Sequence, residues 1–516
     1  MLDLGPRNLA RPKALIAAVR CALRRLFASA AAVALADSAV AEPWLPPGDA
    51  ALRADLTTLA DAGVLRTPIT TWPIPWKAID EQLEAIEVAK LDGWALDAYR
   101  RVEARSEREK STGKITPYGR VSVAEDPRVI RTFDDTPRED AGIGVGFNWS
   151  NERFAVRLNA TRVWDPADGD TFRPDGSYLS VDLGGWIVSA GYPERWWGPG
   201  WDGSLILSTN ARPIPQLAIS RARSTPFRAR WLGWIGPWSL TSFIGQLDDD
   251  RDVDDTLLFG ARFAFNPVPG LEVGLSRTAQ WCGDGRPCDA EAFGNLLVGR
   301  DNRDVNVPEE REPGNQLAGF DVRWAPFSSG IAAFYLQWIG EDSRQGGPQV
   351  GSWLRQAGVE LAGPFARGDW HHRMHIEAAE TICREGGLGL SNQKPRCAYE
   401  HSIYTTGYRY EGRSLGHGMD GDGRSYTLGS TLTSVEDRVW RVSLRHLEIN
   451  RTASSPNPRH TISPTPRDFS EIMLMHSRPL PVGELRAAIG YSRLDDAVDN
   501  RLDERSIFGW IEFVID

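Results

Sequence analysis

The segment from Arg195 to Arg221, RWWGPGWDGSLILSTNARPIPQLAISR, combines flat aromatic side chains with fixed hydrogen-bonding groups. A sugar ring packs its C–H face on an aromatic ring, while its hydroxyls need donors and acceptors that are held in place. Arginines would add bidentate partners for the carboxylates of an acidic sugar. This segment therefore predicts carbohydrate binding through eight of its residues: Arg195, Trp196, Trp197, Trp201, Asp202, Asn210, Arg212 and Arg221.

A second interpretation stays open for the three tryptophans. Tryptophans also form aromatic belts at membrane–water boundaries, and buried ones serve as internal packing. Gly198, Pro199 and Gly200 would then supply only the turn between them. Residue type alone does not decide between a sugar platform and a structural role.

A second polar cluster follows later in the chain and extends the predicted sugar-binding set by Arg413, His417, Asp420 and Asp422. Asp420-Gly-Asp422-Gly is similar to the start of a calcium loop. Position five of that loop would be Arg424 and position twelve Thr431, so the pattern fails. We interpret this cluster as ligand contacts or as a salt-bridge network, and we predict no catalytic residue, no metal and no cofactor.

Residues 1–41 have the order of a secretory signal peptide. A basic flank precedes the short apolar stretch Leu26–Ala36, and Ala39-Val40-Ala41 is a small-x-small cleavage site. We therefore expect an exported chain, in the outer membrane of a Gram-negative bacterium. Its net charge of −10 argues against nucleic acid as a partner.

Four of the five cysteines lie downstream of this leader in two close pairs. Cys282 and Cys288 bracket one Gly- and Pro-rich span, and Cys383 and Cys397 bracket another. An oxidising compartment allows each pair to form a disulfide that closes its loop. Zinc binding is the competing interpretation, although neither pair has CxxC spacing.

Residues 42–113 are predicted to be helical. Asp49 precedes an amphipathic run that Gly63 ends, and two further amphipathic helices are expected over residues 76–90 and 91–110. No segment has the 18 or more consecutive apolar residues of a membrane-spanning helix.

From residue 114 to residue 516 the hydrophobic period changes to two. In the GIGVGFNWS segment, Ile143 and Val145 alternate with glycines. In LLFGARFAFN, Phe263 and Phe265 lie on one face and Arg262 lies on the other. A soluble β-sandwich also alternates in this way, but the leader and the number of such strands favour a transmembrane β-barrel. About 400 residues give on the order of 16–20 antiparallel strands, and the helical region is the expected plug of so wide a barrel.

Three stretches resemble the Wzi-type capsule-assembly outer-membrane proteins, a family of surface lectins. They are PWLPPGDAALRADLTTLADAGVLRTPITTWPIPW at residues 43–76, RWWGPGWDGSLILSTNARPIP at residues 195–215 and YEGRSLGHGMDGD at residues 410–422. The resemblance implies a mainly β fold, a barrel of about eighteen strands that helices close at the periplasmic end. It also implies binding of capsular polysaccharide without chemistry.

The function predicted from the sequence is that of a monomeric, non-enzymatic outer-membrane lectin for capsular or extracellular polysaccharide, in contact with membrane lipid and lipopolysaccharide. A diffusion channel is the first alternative and would have an open lumen lined by opposed charges. An outer-membrane enzyme such as a lipid hydrolase is the second, and would need a serine, a histidine and an acid within hydrogen-bond reach of one another.

Overall fold

The fold is that of a computed structural model, and the structure describes ten stretches of the chain. They are residues 42–91, 93–109, 114–298, 314–327, 330–343, 350–365, 369–386, 389–452, 455–496 and 503–515. The predicted leader, residues 1–41, lies outside the described residues.

Eighteen antiparallel strands of the described chain form a closed barrel, as the sequence predicts. In chain order they are β1 (Thr116–Glu125), β2 (Ala141–Ser150), β3 (Phe154–Trp164), β4 (Tyr178–Asp182), β5 (Trp186–Gly191), β6 (Gln216–Arg221), β7 (Trp238–Gln246), β8 (Leu257–Val268), β9 (Leu271–Trp281), β10 (Gly314–Trp324), β11 (Ala332–Ser343), β12 (Val350–Phe365), β13 (Trp370–Glu385), β14 (Arg424–Ser434), β15 (Val439–Ile449), β16 (Arg467–Leu480), β17 (Gly483–Asp496) and β18 (Glu504–Ile515). Strand β18 pairs with β1 from Gly509 opposite Glu125 to Ile515 opposite Gly119, and this pairing closes the barrel without a free edge. The short pairs Phe172–Arg173 and Gln393–Lys394 extend its rim.

The two faces of the wall differ in polarity, as the period of two predicts. Val145, Ile489 and Ile507 point outward and are 61%, 59% and 70% exposed. Arg262 and Glu512 point inward and are fully buried. An apolar outer surface with a polar interior is the arrangement that lipid outside and hydrogen-bonding groups inside require.

The connections at the two ends of the barrel differ in length. At one end they run from two residues (269–270) to seven (325–331), apart from one longer connection, residues 222–237. At the other end lie the long connections, among them residues 192–215 and 386–423. We call the first the short-connection end and the surface of the second the loop face.

Four α-helices lie in the described chain: α1 (Ala50–Asp61), α2 (Trp76–Leu83), α3 (Gly93–Glu109) and α4 (Ala290–Val298). Asp49 caps α1 through a hydrogen bond from the Leu52 N–H, as the sequence predicts. None of the helices that the structure describes is long and apolar enough to span a membrane.

Helices α1 to α3 pack at the short-connection end of the lumen. Asp61, at the end of α1, accepts both terminal nitrogens of Arg323 on β10 at 2.6 and 3.0 Å, and Arg373 on β13 at 3.2 Å. Glu360 on β12 binds the same two arginines at 2.6–3.0 Å. All four groups are buried, so this cluster of two acids and two arginines ties α1 to the wall.

Both predicted disulfides are present in the structure. Cys282 pairs with Cys288, with their Cα atoms 4.6 Å apart, and Cys383 pairs with Cys397, at 5.8 Å. The second bond closes a loop at the start of the long connection 386–423.

We predict that Asp61→Ala releases α1 from the wall while the barrel stays closed. Removing one member of a buried ion cluster leaves Arg323 and Arg373 with a single carboxylate, at a cost of about 3–5 kcal/mol. Limited trypsin digestion should then cleave residues 42–109 several-fold faster than in the parent protein. Glu84→Ala removes an exposed carboxylate from the same region without changing a trypsin site, so it is the control and should leave the cleavage rate unchanged. Equal rates for Asp61→Ala and the control would contradict this anchor.

Candidate functional site

The stretch from Arg195 to Arg212, which we call the central segment, belongs to the connection between β5 and β6 and folds into the lumen. Its three tryptophans are almost completely buried, with Trp196 and Trp197 at 0% and Trp201 at 2% exposure. They therefore present no ring face to solvent at the ends of the barrel or on its outer face.

Each tryptophan of the central segment has an internal partner. Trp196 pairs by its backbone with Trp72 of the N-terminal region, and its indole N–H donates to the Gly200 carbonyl at 3.1 Å. The ring of Trp201 stacks on His375, and the guanidinium of Arg53 lies 4.2 Å from its centroid. These rings join the N-terminal helices to the barrel wall.

A carboxylate on the wall holds the turn at the tip of the central segment. Glu377 on β13 accepts the backbone N–H groups of Trp201, Asp202 and Gly203 at 2.7, 3.2 and 3.1 Å. The turn also packs closely against His417 of the long connection. Only glycine fits at position 203, because a Cβ atom there would lie 2.2 Å from the His417 imidazole. The turn is thus fixed between one strand and the long connection 386–423.

Asp202 binds a second strand of the wall. Its carboxylate accepts the Nη2 and Nε atoms of Arg445 on β15 at 2.5 and 3.1 Å. Arg445 reaches onward to Glu471 at 3.3 Å, and Glu471 also binds Arg128 from the connection between β1 and β2. All these groups are buried, so the charges are compensated within the lumen.

The second motif, residues 410–422, packs directly above the central segment. The Asn210 side-chain NH₂ donates to the Ser414 carbonyl at 3.0 Å, and the Tyr399 hydroxyl donates to the Leu205 carbonyl at 2.7 Å. Glu411 and Gly412 both have positive φ, at 47° and 71°, as the two-residue turn between paired segments 409–410 and 413–414 requires.

Asp420 and Asp422 hold the long connection together from inside. Asp420 accepts two hydrogen bonds from Arg409, at 2.9 and 3.0 Å, and one from the Thr461 N–H at 2.8 Å. Burial favours the neutral acid, but the charge of Arg409 outweighs it and lowers the pKa of Asp420 to about 2. Asp422 accepts the Arg396 N–H at 2.8 Å.

The four arginines predicted to bind sugar lie in different parts of the barrel. Arg195 is buried against Gln216 and Thr241, while Arg221 lies on the outer face at the short-connection end. Arg212 lies below the loop face, within 2.9–3.1 Å of Asp168, Asp170 and Asp175.

Arg413 differs from these three because it is partly exposed at the loop face. It donates to the Val129 carbonyl at 2.7 Å and has no carboxylate partner among the described residues.

Comparison with known proteins identifies the family. The model of the family "Capsule assembly protein Wzi" matches residues 110–477. The chain belongs to the Wzi family. A protein of Klebsiella pneumoniae, described as an uncharacterized 55.8 kDa protein in the cps region, is 29% identical over 444 residues, which cover 85% of this chain and 84% of that protein.

A solved structure agrees with this assignment. Wzi of Escherichia coli is described as an outer membrane protein involved in group 1 capsule assembly and as a carbohydrate-binding β-barrel. It is 26% identical to this chain with a TM-score of 0.77, and the match covers 92% of this chain and 99% of that one. The barrel of this chain thus has the same fold as that Wzi structure.

One buried group of this Wzi-family chain has the composition of a metal site. Potential ligand atoms of Asp202, Glu377 and His417 lie within 4.8 Å of one another. Both carboxylates already accept protein donors, as described above, and His417 Nδ1 accepts the Met419 N–H at 3.2 Å. Burial lowers the pKa of His417 to about 4, so the ring is neutral at pH 7 and only its Nε2 lacks a partner in the described chain. The absence of a metal stays a prediction.

Residues 412–416, GRSLG, match the GxSxG spacing of the nucleophile elbow in serine hydrolases. This match bears on the prediction that the chain is not an enzyme. An elbow places its serine at an exposed turn between a strand and a helix. Ser414 instead lies in a short antiparallel pair, fully buried. Its hydroxyl accepts the Gly416 N–H at 3.2 Å, and within the described chain it has no hydrogen bond to His417. The geometry of a nucleophile is therefore missing.

The sequence interpretation overlooked the wall residues that hold the central segment. Gln337 on β11 donates to the Trp197 carbonyl and accepts the Leu205 N–H, and Gln356 on β12 donates to the Gly203 carbonyl at 2.9 Å. One sequence signal could have predicted these contacts. A large polar side chain at an inward position of an alternating strand needs a hydrogen-bond partner inside the lumen.

We predict that Trp201→Ala destabilises the folded barrel by about 3–5 kcal/mol, because it opens a cavity between α1 and β13. Trp201→Phe should recover part of this loss. The loss of stability is measured as a lower apparent melting temperature in detergent. Electrophoresis without boiling reports the folded fraction at each temperature, because the folded and unfolded barrels migrate differently. Trp231→Ala, at a ring that is 76% exposed, is the control and should stay within about 0.5 kcal/mol of the parent. A parent-like Trp201→Ala would contradict the internal role.

We also predict a loss of loop order in acid. The folded pKa of Asp420 is below its ordinary value of 3.8, so its contribution to stability is present above about pH 4 and is lost as the pH falls through about 2. Proteolysis of residues 389–423 by pepsin at graded pH measures this loss. Asp420→Asn should make cleavage fast already at pH 4, and a variant with the parent's pH profile would contradict the role of the Arg409 pair.

Proposed function

We propose that this chain is a non-enzymatic outer-membrane lectin that attaches capsular or related extracellular polysaccharide at the cell surface. The observation that carries the proposal is its membership of the Wzi family, supported by the likeness to a carbohydrate-binding β-barrel over nearly the whole chain. The proposed lectin needs no cofactor and acts as a monomer. The closed barrel supports the monomer because it leaves no strand edge that could pair with a second copy.

The connection lengths support an orientation. Barrels of the outer membrane have short periplasmic turns and longer extracellular loops. We therefore assign the short-connection end, with helices α1 to α3, to the periplasm and the loop face to the exterior. Export by a signal peptide at residues 1–41 and contact of the loop face with lipopolysaccharide belong to the same proposal.

The interior of the barrel favours a lectin over a diffusion channel. The central segment crosses the lumen and binds strands on its far side, as the contacts of Glu377 and Arg445 illustrate. A cavity of about 410 Å³ remains to one side, along β1 to β4. Its charged groups form ion pairs with each other, such as Arg120 with Asp135.

Among the candidate residues, we propose Arg413 as the polysaccharide contact. It combines partial exposure at the loop face with a guanidinium that has no carboxylate partner among the described residues. The neighbouring motif residues His417, Asp420 and Asp422 are buried and would act by fixing the loop that carries it. A carboxylate or hydroxyl of the polymer would accept its free N–H groups.

We predict that Arg413→Ala weakens binding to extracellular polysaccharide of the host organism by about tenfold, the effect of losing one or two charge-assisted hydrogen bonds. Binding of the purified protein to immobilised polymer at low ionic strength is the measurement. Arg153→Ala removes a more exposed charge at the short-connection end and should bind like the parent.

The outcomes separate the site from the function. Parent-like binding by Arg413→Ala would contradict the proposed contact and leave the lectin standing. A parent protein that fails to bind the polymer would contradict the lectin itself, and a stable open conductance in planar bilayers would then favour the channel.

A further inference from the structure

The connection between β6 and β7, residues 222–237, is much longer than its neighbours at the short-connection end. It does not enter the lumen but folds back over the outer face of the wall. We call it the outer strap. Its 3₁₀ turn, Arg230–Ile235, packs on β8, where the ring centroid of Trp234 lies 5.9 Å from that of Phe265.

Apolar packing and a hydrogen bond fix the strap on the outside of the barrel. The ring of Phe227 stacks on Trp238 with centroids 4.4 Å apart, and Ile235 is buried with Trp238 and Phe265. Arg221 lies 3.5 Å from the Trp238 centroid and donates to the Thr225 carbonyl at 2.8 Å. This candidate sugar ligand thus holds the strap in place.

The strap is also tied to the helices at the same end. Arg223 forms an ion pair with Glu81 of α2, with its Nε atom 2.5 Å from the carboxylate. The strap therefore lies at the level where the apolar band of the wall ends and the aqueous compartment begins.

The outward surface of the strap combines apolar rings with free cations. Trp231 and Trp234 are 76% and 64% exposed. Arg228 and Arg230 are exposed too, and neither has an acidic partner among the described residues. Tryptophan prefers the headgroup level of a bilayer, and arginine beside it attracts anionic lipid.

We propose that the outer strap is a binding site for an anionic phospholipid of the periplasmic leaflet. Arg228 and Arg230 bind the phosphate of the headgroup, and Trp231 and Trp234 insert at the level of the glycerol backbone. This inference rests on the proposed outer-membrane placement and orientation.

The test uses the full chain reconstituted into vesicles of phosphatidylethanolamine and phosphatidylglycerol. After mild detergent extraction, native mass spectrometry counts the molecules of each lipid that stay bound to the protein. The parent should retain phosphatidylglycerol in preference to phosphatidylethanolamine. Arg228→Gln and Arg230→Gln should each lower this preference by about fivefold. This factor corresponds to the attraction of one arginine to an anionic membrane surface.

The controls are the single variants Arg153→Gln and Arg478→Gln. Each removes one exposed positive charge at the same end of the barrel but outside the strap, so the preference should stay at the parental value. Trp231→Ala with Trp234→Ala should lower retention of both lipids, because it removes the apolar part of the site while all arginines remain.

Three results would overturn the proposal. Arginine variants that retain phosphatidylglycerol like the parent would exclude the strap as the site, with the lectin function untouched. Stronger retention of lipid A by the same arginines, in vesicles that contain it, would place the strap in the opposite leaflet. Failure of the parent to insert into any vesicle would contradict the membrane placement, and with it the proposed function.

Discussion

The central constraint on this molecule is the hydrogen bonding of a polar chain segment inside a closed barrel. Eighteen strands enclose a lumen too wide for their own side chains to fill, so other parts of the chain enter it. Their backbone groups then need partners away from bulk water. Glu377 meets this need for three consecutive N–H groups, and Arg445 balances the charge of Asp202 beside them.

This constraint explains why the most conspicuous motif of the sequence is internal. Rings and rigid donors are suited to sugars, but they are equally suited to joining helices, wall and loops in a crowded lumen. Trp196 and Trp201 contact the N-terminal region, and Asn210 binds the connection that carries Arg413. The central segment therefore supports the loop face from below, and recognition is left to side chains that reach the surface.

The barrel was predictable because an apolar outer face and a polar lumen impose a period of two on its strands. Val145 and Ile489 face outward and Arg262 faces inward, as their alternation indicates. The disulfides followed from close pairs of cysteines, each bracketing a Gly- and Pro-rich span. The N-cap at Asp49 followed from local sequence as well.

The partners inside the lumen were not predictable, because they are distant in sequence. Glu377 and Trp201 are separated by 176 positions, and no local pattern relates them. Residue types also leave the tryptophans ambiguous, since a sugar platform and a packed core use the same ring. The outer strap was missed for a similar reason: its packing on Phe265 depends on which face of the wall that ring occupies.

Hydrogen–deuterium exchange of the purified protein, with and without extracellular polysaccharide of its host, tests the central claim most directly. The account predicts slower exchange on binding in segments of the loop face, foremost residues 409–416 around Arg413. It predicts no change in residues 196–205, whose amides are already buried in the lumen. Protection confined to the N-terminal helices, or none in any segment at saturating polymer, would contradict a lectin that binds through its loop face.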